Sequence, residues 1–408
     1  MFVKERLDEA GVQTALFARD LARPNLLARV KGRGEAPPLL LYGHVDVVPV
    51  SGQRWAQPPF AGELVDGWVW GRGALDMKSA IAMYVDATLA AAQEPPAGDL
   101  LLLVLADEEA GGIDGAAFLV ENHREIFAGV RHALGEFGGT TVHLGGRRLY
   151  PVMVAEKLSC ILTAKLRGAG GHGSLRHTGG ATAKLARMLD RLDRRRLPVH
   201  VTPAARLMVG AIADALGGVR GAALRQVLRP ALTDRILDRL GPQVRALDSS
   251  LHNTVNATIV RGGDRDNVIP SEVSVVLDCR LLPGWSPEQV IAELHDVLGP
   301  DVEFRVDRWD PGGDHLDTSQ FEMLAGVLRD ADPGCHPFPH LFPAVTDGRH
   351  LSRLNIQTYG FTPLRLPPGF DFAYTVHAAD ERVPAEAVEF GARAVREAVR
   401  RYRPAGSG

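Results

Sequence analysis

The chain has few cysteines and no long apolar run, and both shortages exclude classes of protein. Its cysteines are Cys160, Cys279 and Cys335, three in 408 residues. Their odd number and wide spacing predict neither a disulfide framework nor a thiolate metal site, and they favour a reduced, cytoplasmic protein. No uncharged segment reaches the length that crosses a bilayer. The polar stretch from Met1 to Gly11 has no apolar core like that of a signal peptide.

The chain also lacks an excess of charge of one sign. Its 46 Lys and Arg and 49 Asp and Glu give a formal net charge of -3. No global field therefore attracts nucleic acid or an anionic membrane. The run Arg194-Arg195-Arg196 is the one feature that suggests nucleic acid, and its place at the end of a predicted helix favours a helix cap instead. We expect neither a nucleic-acid partner nor a membrane partner.

The length and the order of predicted elements indicate two domains. A chain of 408 residues exceeds one ordinary core. Before residue 157, apolar strands alternate with helices, which predicts a doubly wound α/β fold. Residues 157–310 follow the order strand-helix-strand-strand-helix-strand, which predicts an inserted α+β, ferredoxin-like (split βαβ) domain. Residues 1–156 and 311–408 would form the first domain. The mostly helical region 204–245 has no predicted role.

One strand presents two polar side chains where it ends. The apolar segment Leu39 to Tyr42 is typical of a buried parallel strand, and His44 and Asp46 follow it. Residues two apart on an extended chain point to the same side. In open α/β sheets, ligands bind at the carboxyl ends of strands. A carboxylate behind an imidazole is the usual way to orient a histidine that ligates a metal.

Further acidic and histidine side chains follow other predicted elements. With His44, two histidines and three carboxylates would suit a pair of divalent cations, zinc best, with cobalt or manganese as alternatives. The remaining candidates are Asp76, Glu136, His377 and one of the adjacent pair Glu108 and Glu109. Two cations about 3.5–4 Å apart need a bridging carboxylate. Asp76, which comes after a glycine-rich turn, is the natural bridge.

The adjacent residues Glu108 and Glu109 cannot easily share one role. On an extended chain they point apart, so one can ligate a cation while the other takes a proton from the attacking water. The alternative is a solvated acidic turn. The pair directly follows the apolar strand 100–106, and that position favours the site.

An ordered set of motifs resembles a known family. It is the dinuclear zinc metallopeptidase family that includes glutamate carboxypeptidase, aminoacylase, acetylornithine deacetylase and succinyl-diaminopimelate desuccinylase. The resemblance spans about residues 25–400. The motifs are Gly43 to Asp46, Trp70 to Lys78, Asp107 to Glu109, Glu136 to Gly139, Gly171 to Ser174, Asn267 to Pro270 through Arg280, and His377 to Glu381.

The resemblance implies a role for each candidate. Four residues would complete two metal sites, Asp76 would bridge them, and two further carboxylates would orient a ligand and act as general base. His44 and Glu136 would complete one metal site, and Glu109 and His377 would complete the other. Asp46 would orient His44, and Glu108 would act as the general base. The resemblance also implies a cis peptide bond between Asp76 and Met77.

Three candidates lie in the predicted inserted domain. His172 sits in a glycine-rich segment that could be an ordinary surface loop. The resemblance implies instead that it stabilises the oxyanion and, in dimers, reaches the partner's site. Asn267 and Arg280 would bind a substrate carboxylate. A guanidinium among apolar neighbours needs an anionic partner, and an internal salt bridge with Asp278 is the alternative.

The implied function is hydrolysis of an amide or peptide bond beside a free carboxylate, by water that two metal ions activate. Small peptides would be the substrates, as in a dipeptidase or carboxypeptidase. An N-acyl-amino-acid deacylase remains open, because pocket shape alone separates the two. A non-catalytic binding protein on the same fold is a distant alternative. A homodimer through the inserted domain is also implied. One departure, Ala344-Val345 where the family has Gly-Gly, predicts a bulkier backbone near the substrate.

Overall fold

The computed structural model describes residues 1–240, 245–313 and 316–403. Part of the predicted helical region 204–245, namely 241–244, lies outside these residues, and so do 314–315 and 404–408 of the predicted segment 311–408. Among the described residues, no helix has both the length and the apolar character needed to cross a membrane.

The elements alternate along most of the chain. The helices are α1 Phe2–Glu9, α2 Lys78–Gln93, α3 Ala116–Asn122, α4 Ala181–Arg194, α5 Pro203–Leu216, α6 Gly218–Arg225, α7 Pro230–Leu240, α8 Arg245–Leu251, α9 Pro287–Leu298, α10 Phe321–Ala331, α11 Gly348–Leu351, α12 Phe372–Thr375 and α13 Ala385–Arg401. The strands are β1 Gln13–Phe17, β2 Asn25–Val30, β3 Leu39–His44, β4 Leu64–Val65, β5 Trp68–Trp70, β6 Leu100–Leu105, β7 His132–Gly135, β8 Val142–Leu144, β9 Arg147–Glu156, β10 Leu158–Arg167, β11 Gly171–His172, β12 Thr254–Arg261, β13 Val268–Ile269, β14 Glu272–Leu281, β15 Glu303–Asp310, β16 His336–Phe342, β17 Gln357–Gly360 and β18 Arg382–Pro384.

A large mixed sheet carries the first part of the chain. Its strands run in the order β1-β2-β6-β3-β7-β17-β9-β16, with β8 paired to β9. The central strands β6, β3, β7 and β17 are mutually parallel. Every residue of β3 and β6 is buried, because helices cover both faces of these strands. Helices α2 and α13 pack on one face and α3 on the other.

A second sheet has four antiparallel strands in the order β12-β14-β10-β15. Helices α4 and α9 pack against it and enclose a separate apolar core. Strand β14 alternates between more and less buried residues, as expected for a strand with one covered face. A short ribbon of β11 and β13 adjoins this part of the chain.

The helices from α5 to α8 pack at the edge of the large sheet. Their apolar residues share a core with Leu149 of β9 and with Phe338 and Leu341 of β16. Strand β16 is absent from the sequence-based prediction because its segment His-Pro-Phe-Pro-His has two prolines. Proline is tolerated in an edge strand, where one side of the backbone needs no partner, and β16 is the edge of this sheet.

Candidate metal centre

Five side chains meet at the carboxyl ends of the parallel strands. His44 ends β3, Glu109 lies in a short 3-10 turn after β6, Glu136 follows β7, and Asp76 precedes α2. The fifth, His377, comes from the last part of the chain. Because β6, β3 and β7 are parallel neighbours, their carboxyl ends lie at one edge of the sheet.

The carboxylate of Asp76 lies between the two imidazoles. His44 Nε2 is 3.1 Å from Asp76 Oδ1, and His377 Nε2 is 3.2 Å from Asp76 Oδ2. His44 Nε2 is also 3.4 Å from Glu136 Oε2, whereas His377 Nε2 is 3.0 Å from Glu109 Oε1. The five side chains thus fall into two groups that share Asp76.

The donor atoms have the chemistry that divalent cations need. His44, Asp76 and Glu136 are 1, 5 and 3% exposed. The buried Glu136 Oε2 atom has no hydrogen-bond partner among the described residues. Donor atoms lie within 4.8 Å of one another in two sets, His44-Asp76-Glu109 and His44-Glu108-Glu136. Buried carboxylates at such separations repel one another unless positive charge lies between them, so this donor set fits two divalent cations.

The electrostatics of the protein alone favour positive charge at this place. Hydrogen bonds with Asp76 and Glu109 raise the pKa of His377 to about 10. Burial opposes ionisation of Asp76, but hydrogen bonds from His377 and His44 lower the pKa of this carboxyl to about 2. Burial raises the pKa of Glu136. The clustered carboxylates thus favour positive charge beside Asp76, which a bound cation would supply.

Asp46 lies behind His44 and has a second contact that the sequence did not suggest. Its carboxylate oxygens accept the backbone N–H groups of Glu108 and Glu109, at 3.2 and 3.1 Å. The same carboxylate lies 3.6 Å from His44 Nδ1, which is also 3.0 Å from the carbonyl oxygen of Asp46. Asp46 therefore connects one imidazole to the turn that carries both glutamates.

The carboxylate of Glu381 fixes the backbone at Leu75 and Asp76 by hydrogen bonds. This carboxylate is fully buried, and it accepts the N–H groups of Leu75 and Asp76, at 2.8 and 3.2 Å. It also accepts a 2.6 Å hydrogen bond from Arg72, which balances its charge. The peptide bond between Asp76 and Met77 is cis, as the resemblance implies.

Arg349 lies behind Glu108 and is not among the site residues predicted from the sequence. Its Nη1 atom is 3.6 Å from Glu108 Oε1. The guanidinium also donates to the carbonyl oxygens of Thr346 and Gly111, at 2.8 and 2.9 Å. Burial, with the nearby charges of Glu136 and Asp347, raises the pKa of Glu108 to about 10. Arg349 is thus the cation that faces the candidate general base from the protein interior.

The three candidates from residues 157–310 form contacts of their own. Among the described residues, no hydrogen bond or ion pair joins them to the five clustered side chains. His172 is exposed, and its Nδ1 atom lies 2.8 Å from Oγ of Ser174. The N–H of Gly173 donates to the carbonyl oxygen of Asn267. Arg280 forms a two-point pair with Asp278, at 2.7 and 3.0 Å, which is the salt bridge raised as the alternative.

Residues 40–401 match the profile of peptidase family M20/M25/M40. The chain belongs to this family. The match covers most of the chain, and it confirms the resemblance that the ordered motifs predict.

Two curated relatives show how the likeness is distributed along the chain. A succinyl-diaminopimelate desuccinylase of Cereibacter sphaeroides is 35% identical over 197 residues, which cover 46% of this chain and 48% of the relative. The chain thus aligns with about half the length of that relative. A succinyl-diaminopimelate desuccinylase of Bordetella parapertussis is 27% identical over 402 residues, which cover 94% of this chain and 87% of the relative.

Solved structures of family M20 share the mixed α/β fold. A metallo-carboxypeptidase from Sulfolobus solfataricus superposes with a TM-score of 0.68 at 15% identity, over 98% of this chain and 92% of the other. A dinuclear metal-binding peptidase from Bacillus subtilis superposes with a TM-score of 0.58 at 14% identity, over 98% and 90%. At these identities the likeness shows the fold alone.

Proposed function

We propose that the chain is a metal-dependent hydrolase that cleaves an amide or peptide bond beside a free carboxylate. The observation that carries this proposal is the carboxylate of Asp76 between His44 and His377, within 3.2 Å of both. Two divalent cations bound there, zinc by preference, would make water nucleophilic and polarise the scissile carbonyl. His44 and Glu136 would hold one cation, Glu109 and His377 the other, and Asp76 both.

Glu108 is the proposed general base. Positive charge from the bound cations would offset the effect of burial and keep this carboxylate ionised. Glu108 would then accept a proton from the attacking water and return it to the leaving amine. The turn that carries Glu108 is held by Asp46 from one side, and Arg349 faces the carboxylate from the other. A carboxylate oxygen of Glu108 also lies within 4.8 Å of the donor atoms of His44 and Glu136, so Glu108 could itself ligate a cation. We assign proton transfer to Glu108 and ligation to Glu109, because Glu109 Oε1 already contacts His377.

Residues 157–310 would bind the groups of the substrate that the metal ions do not contact. In this proposal 1–156 and 311–408 form a doubly wound catalytic domain, and 157–310 form an inserted ferredoxin-like domain that closes over it and excludes water. His172 would donate to the oxyanion, and Asn267 and Arg280 would bind the substrate carboxylate. Arg280 now pairs with Asp278, so it would share its guanidinium between that carboxylate and the substrate. A homodimer through 157–310 is part of the same proposal.

An N-acyl-amino-acid deacylase is the second candidate. The two curated relatives are named as desuccinylases, and a succinyl group is an acyl group on nitrogen. The same metal centre would serve either reaction, and the shape and charge of the pocket would select the substrate. Rates on matched dipeptides and N-acyl amino acids separate the two candidates.

A chelation experiment with a variant of Glu108 tests the proposed function. Removal of metal should abolish hydrolysis, and zinc, cobalt or manganese should restore it. Glu108→Gln should lower kcat by about 10²–10⁴-fold, because the amide cannot accept the proton, while bound metal is unchanged. Glu121→Gln, which alters an exposed surface pair with Arg353, is the matched control. Full activity after chelation, or in Glu108→Gln, would refute the assignment.

A further inference from the structure

Three phenylalanine rings contact one another, and two of them come from segments that also carry residues of the metal centre. Phe137 directly follows Glu136, and its ring stacks on Phe342 with centroids 4.5 Å apart and planes 17° apart. Phe372 meets Phe137 edge-on, at 6.4 Å and 82°. Phe372 begins α12, the short helix before His377. The rings of Phe137, Phe342 and Phe372 are here called the aromatic surface, which includes the residue after Glu136 and a residue five positions before His377.

Two of these rings contribute to no apolar core. Phe137 and Phe342 are half-buried and belong to none of the four apolar clusters of the described residues. The backbone of Phe137 has φ 59°, in the left-handed region that a bulky residue rarely adopts. Such backbone conformations concentrate at ligand sites, where the surrounding structure holds them. A stacked pair outside the core, one residue from Glu136, is available for contact with a ligand.

Among the described residues, no arginine or lysine lies over any of the three rings of the aromatic surface. Residues 343–345, Pro-Ala-Val, extend it with further partly exposed apolar side chains. The ring of His340 lies 6.3 Å from Phe342, and burial lowers its pKa to about 4, so it is neutral.

Among the described residues, three arginines of the site are bonded within the protein, and Lys78 lies in the field of the Asp46 and Glu381 carboxylates. Arg72 bonds to Glu381 and Arg349 to two backbone carbonyls. Arg280 pairs with Asp278 and is already assigned to the free carboxylate beside the scissile bond. A carboxylate placed on the rings would lose its hydration without gaining a partner.

We propose that the aromatic surface receives an apolar or aromatic side group of the substrate next to the scissile bond. The preferred substrates are then peptides or N-acyl amino acids with an apolar group at that position, and succinyl or other acidic groups are disfavoured there. This inference rests on the proposed function, since it assigns the substrate class of the same site. Phe342 is its main specificity-determining residue, because it stacks on Phe137 and lies next to the apolar segment 343–345.

Matched substrate pairs test the proposal with the full-length, metal-loaded enzyme. One pair varies the amino acid, N-acetyl-phenylalanine against N-acetyl-aspartate. The other varies the acyl group, hexanoyl-alanine against succinyl-alanine. In at least one pair the apolar member should have the higher kcat/KM, by about tenfold or more. Phe342→Ala should reduce that ratio toward one, and Phe342→Leu should keep most of it. Phe304→Ala, on β15 beside His295, is a matched control that should leave the ratio unchanged.

The outcomes separate this inference from the proposed function. Preference for the acidic member in both pairs, or an unchanged ratio in Phe342→Ala, would overturn the inference while leaving metal-dependent hydrolysis intact. If no amide substrate is cleaved in a metal-dependent way, the proposed function fails, and calorimetry still tests the surface. Tighter binding of N-acetyl-phenylalanine than of N-acetyl-aspartate to metal-loaded Glu108→Gln, reduced by adding Phe342→Ala, supports the inference. Equal binding of the two ligands contradicts it.

Discussion

The Nε2 atom of His377 lies 3.2 Å from Oδ2 of Asp76, whose other oxygen lies 3.1 Å from His44. A carboxylate with one oxygen toward each imidazole is suited to a ligand that two cations share. Asp76→Asn keeps the shape but removes the charge and one acceptor. We expect purified Asp76→Asn to hold at most one metal ion per chain, by mass spectrometric metal analysis. Asp86→Asn, on the same helix that Asp76 precedes, should behave like the unaltered protein.

Asp46 provides a test of how the centre is held in place. Its two oxygens accept the N–H groups of Glu108 and Glu109. In Asp46→Asn, the amide nitrogen would face one of these donors, so the turn that carries a ligand and the base would loosen. Metal affinity should fall about 10–100-fold, the usual effect of losing such a supporting residue. Competition with a chelator of known affinity measures it.

The matched control for that change is Asp66→Asn. Asp66 is exposed and has φ 51°, a backbone conformation that asparagine also tolerates. Its metal affinity should be unchanged. An Asp46→Asn protein that binds metal as tightly as this control would show that the turn holds its position without the carboxylate.

The residues of the centre could be found from the sequence because each follows a recognisable element. His44 is the last residue of one fully buried strand, and the Glu108-Glu109 pair begins three residues after the end of another. Parallel neighbours place the carboxyl ends of these strands together. Their distances could not be predicted, since these depend on how the strands align and on the turn before α2.

Other features depend on the assembled fold. Arg349 is near Glu108 because α11 follows the end of β16. Strand β16 was not predicted from the sequence, since its two prolines are unusual in a strand. The position of α5–α8 against β9 and β16 likewise follows from packing between distant segments. The two-point contact of Asp46 with the glutamate turn is between residues far apart in the chain, and no local pattern encodes it.

Arg349 should be important for both stability and turnover. It is 5% exposed, and its loss would remove the main favourable charge interaction of Asp347 and the 3.6 Å contact with Glu108. Removing one partner from a buried charge cluster costs about 3–5 kcal/mol. We expect Arg349→Met to lose about that much unfolding free energy in urea and to lower kcat. Arg349→Lys should be intermediate, because an ammonium keeps the charge but cannot keep the planar two-point contact with Thr346 and Gly111.

An exposed arginine four residues later gives the comparison for that variant. Arg353 pairs with Glu121 at the surface. Such pairs are worth about 0–1 kcal/mol. The unfolding free energy of Arg353→Met should therefore lie within about 1 kcal/mol of the value for the unaltered protein. Equal stability of the two Met variants would show that Arg349 carries no buried charge interaction.

His350 gives the folded state a defined pH dependence. Burial and the neighbouring Arg349 lower its pKa to about 4, whereas an unfolded histidine titrates near 6.5. Below pH 6.5 the unfolded chain therefore gains a proton that the folded chain does not accept. The contribution of His350 to stability is present above that pH and is lost as the pH falls toward 4, by up to about 1.4 kcal/mol per pH unit.

A variant isolates this contribution. His350→Gln keeps a donor for the carbonyl oxygen of Gly111, which lies 3.3 Å from His350 Nε2, and it does not titrate. The slope of unfolding free energy against pH between 6.5 and 4 should be shallower than in the unaltered protein. His177→Gln changes an exposed histidine and should keep the original slope. Identical slopes in all three proteins would rule out His350 as the source.

The most direct test of the account is a crystal structure of the zinc-loaded chain with anomalous diffraction measured at the zinc edge. The account predicts two anomalous peaks, one on each side of the Asp76 carboxylate, with His44 and Glu136 at the first and Glu109 and His377 at the second. A single peak, or a pair that does not have Asp76 between them, would contradict it.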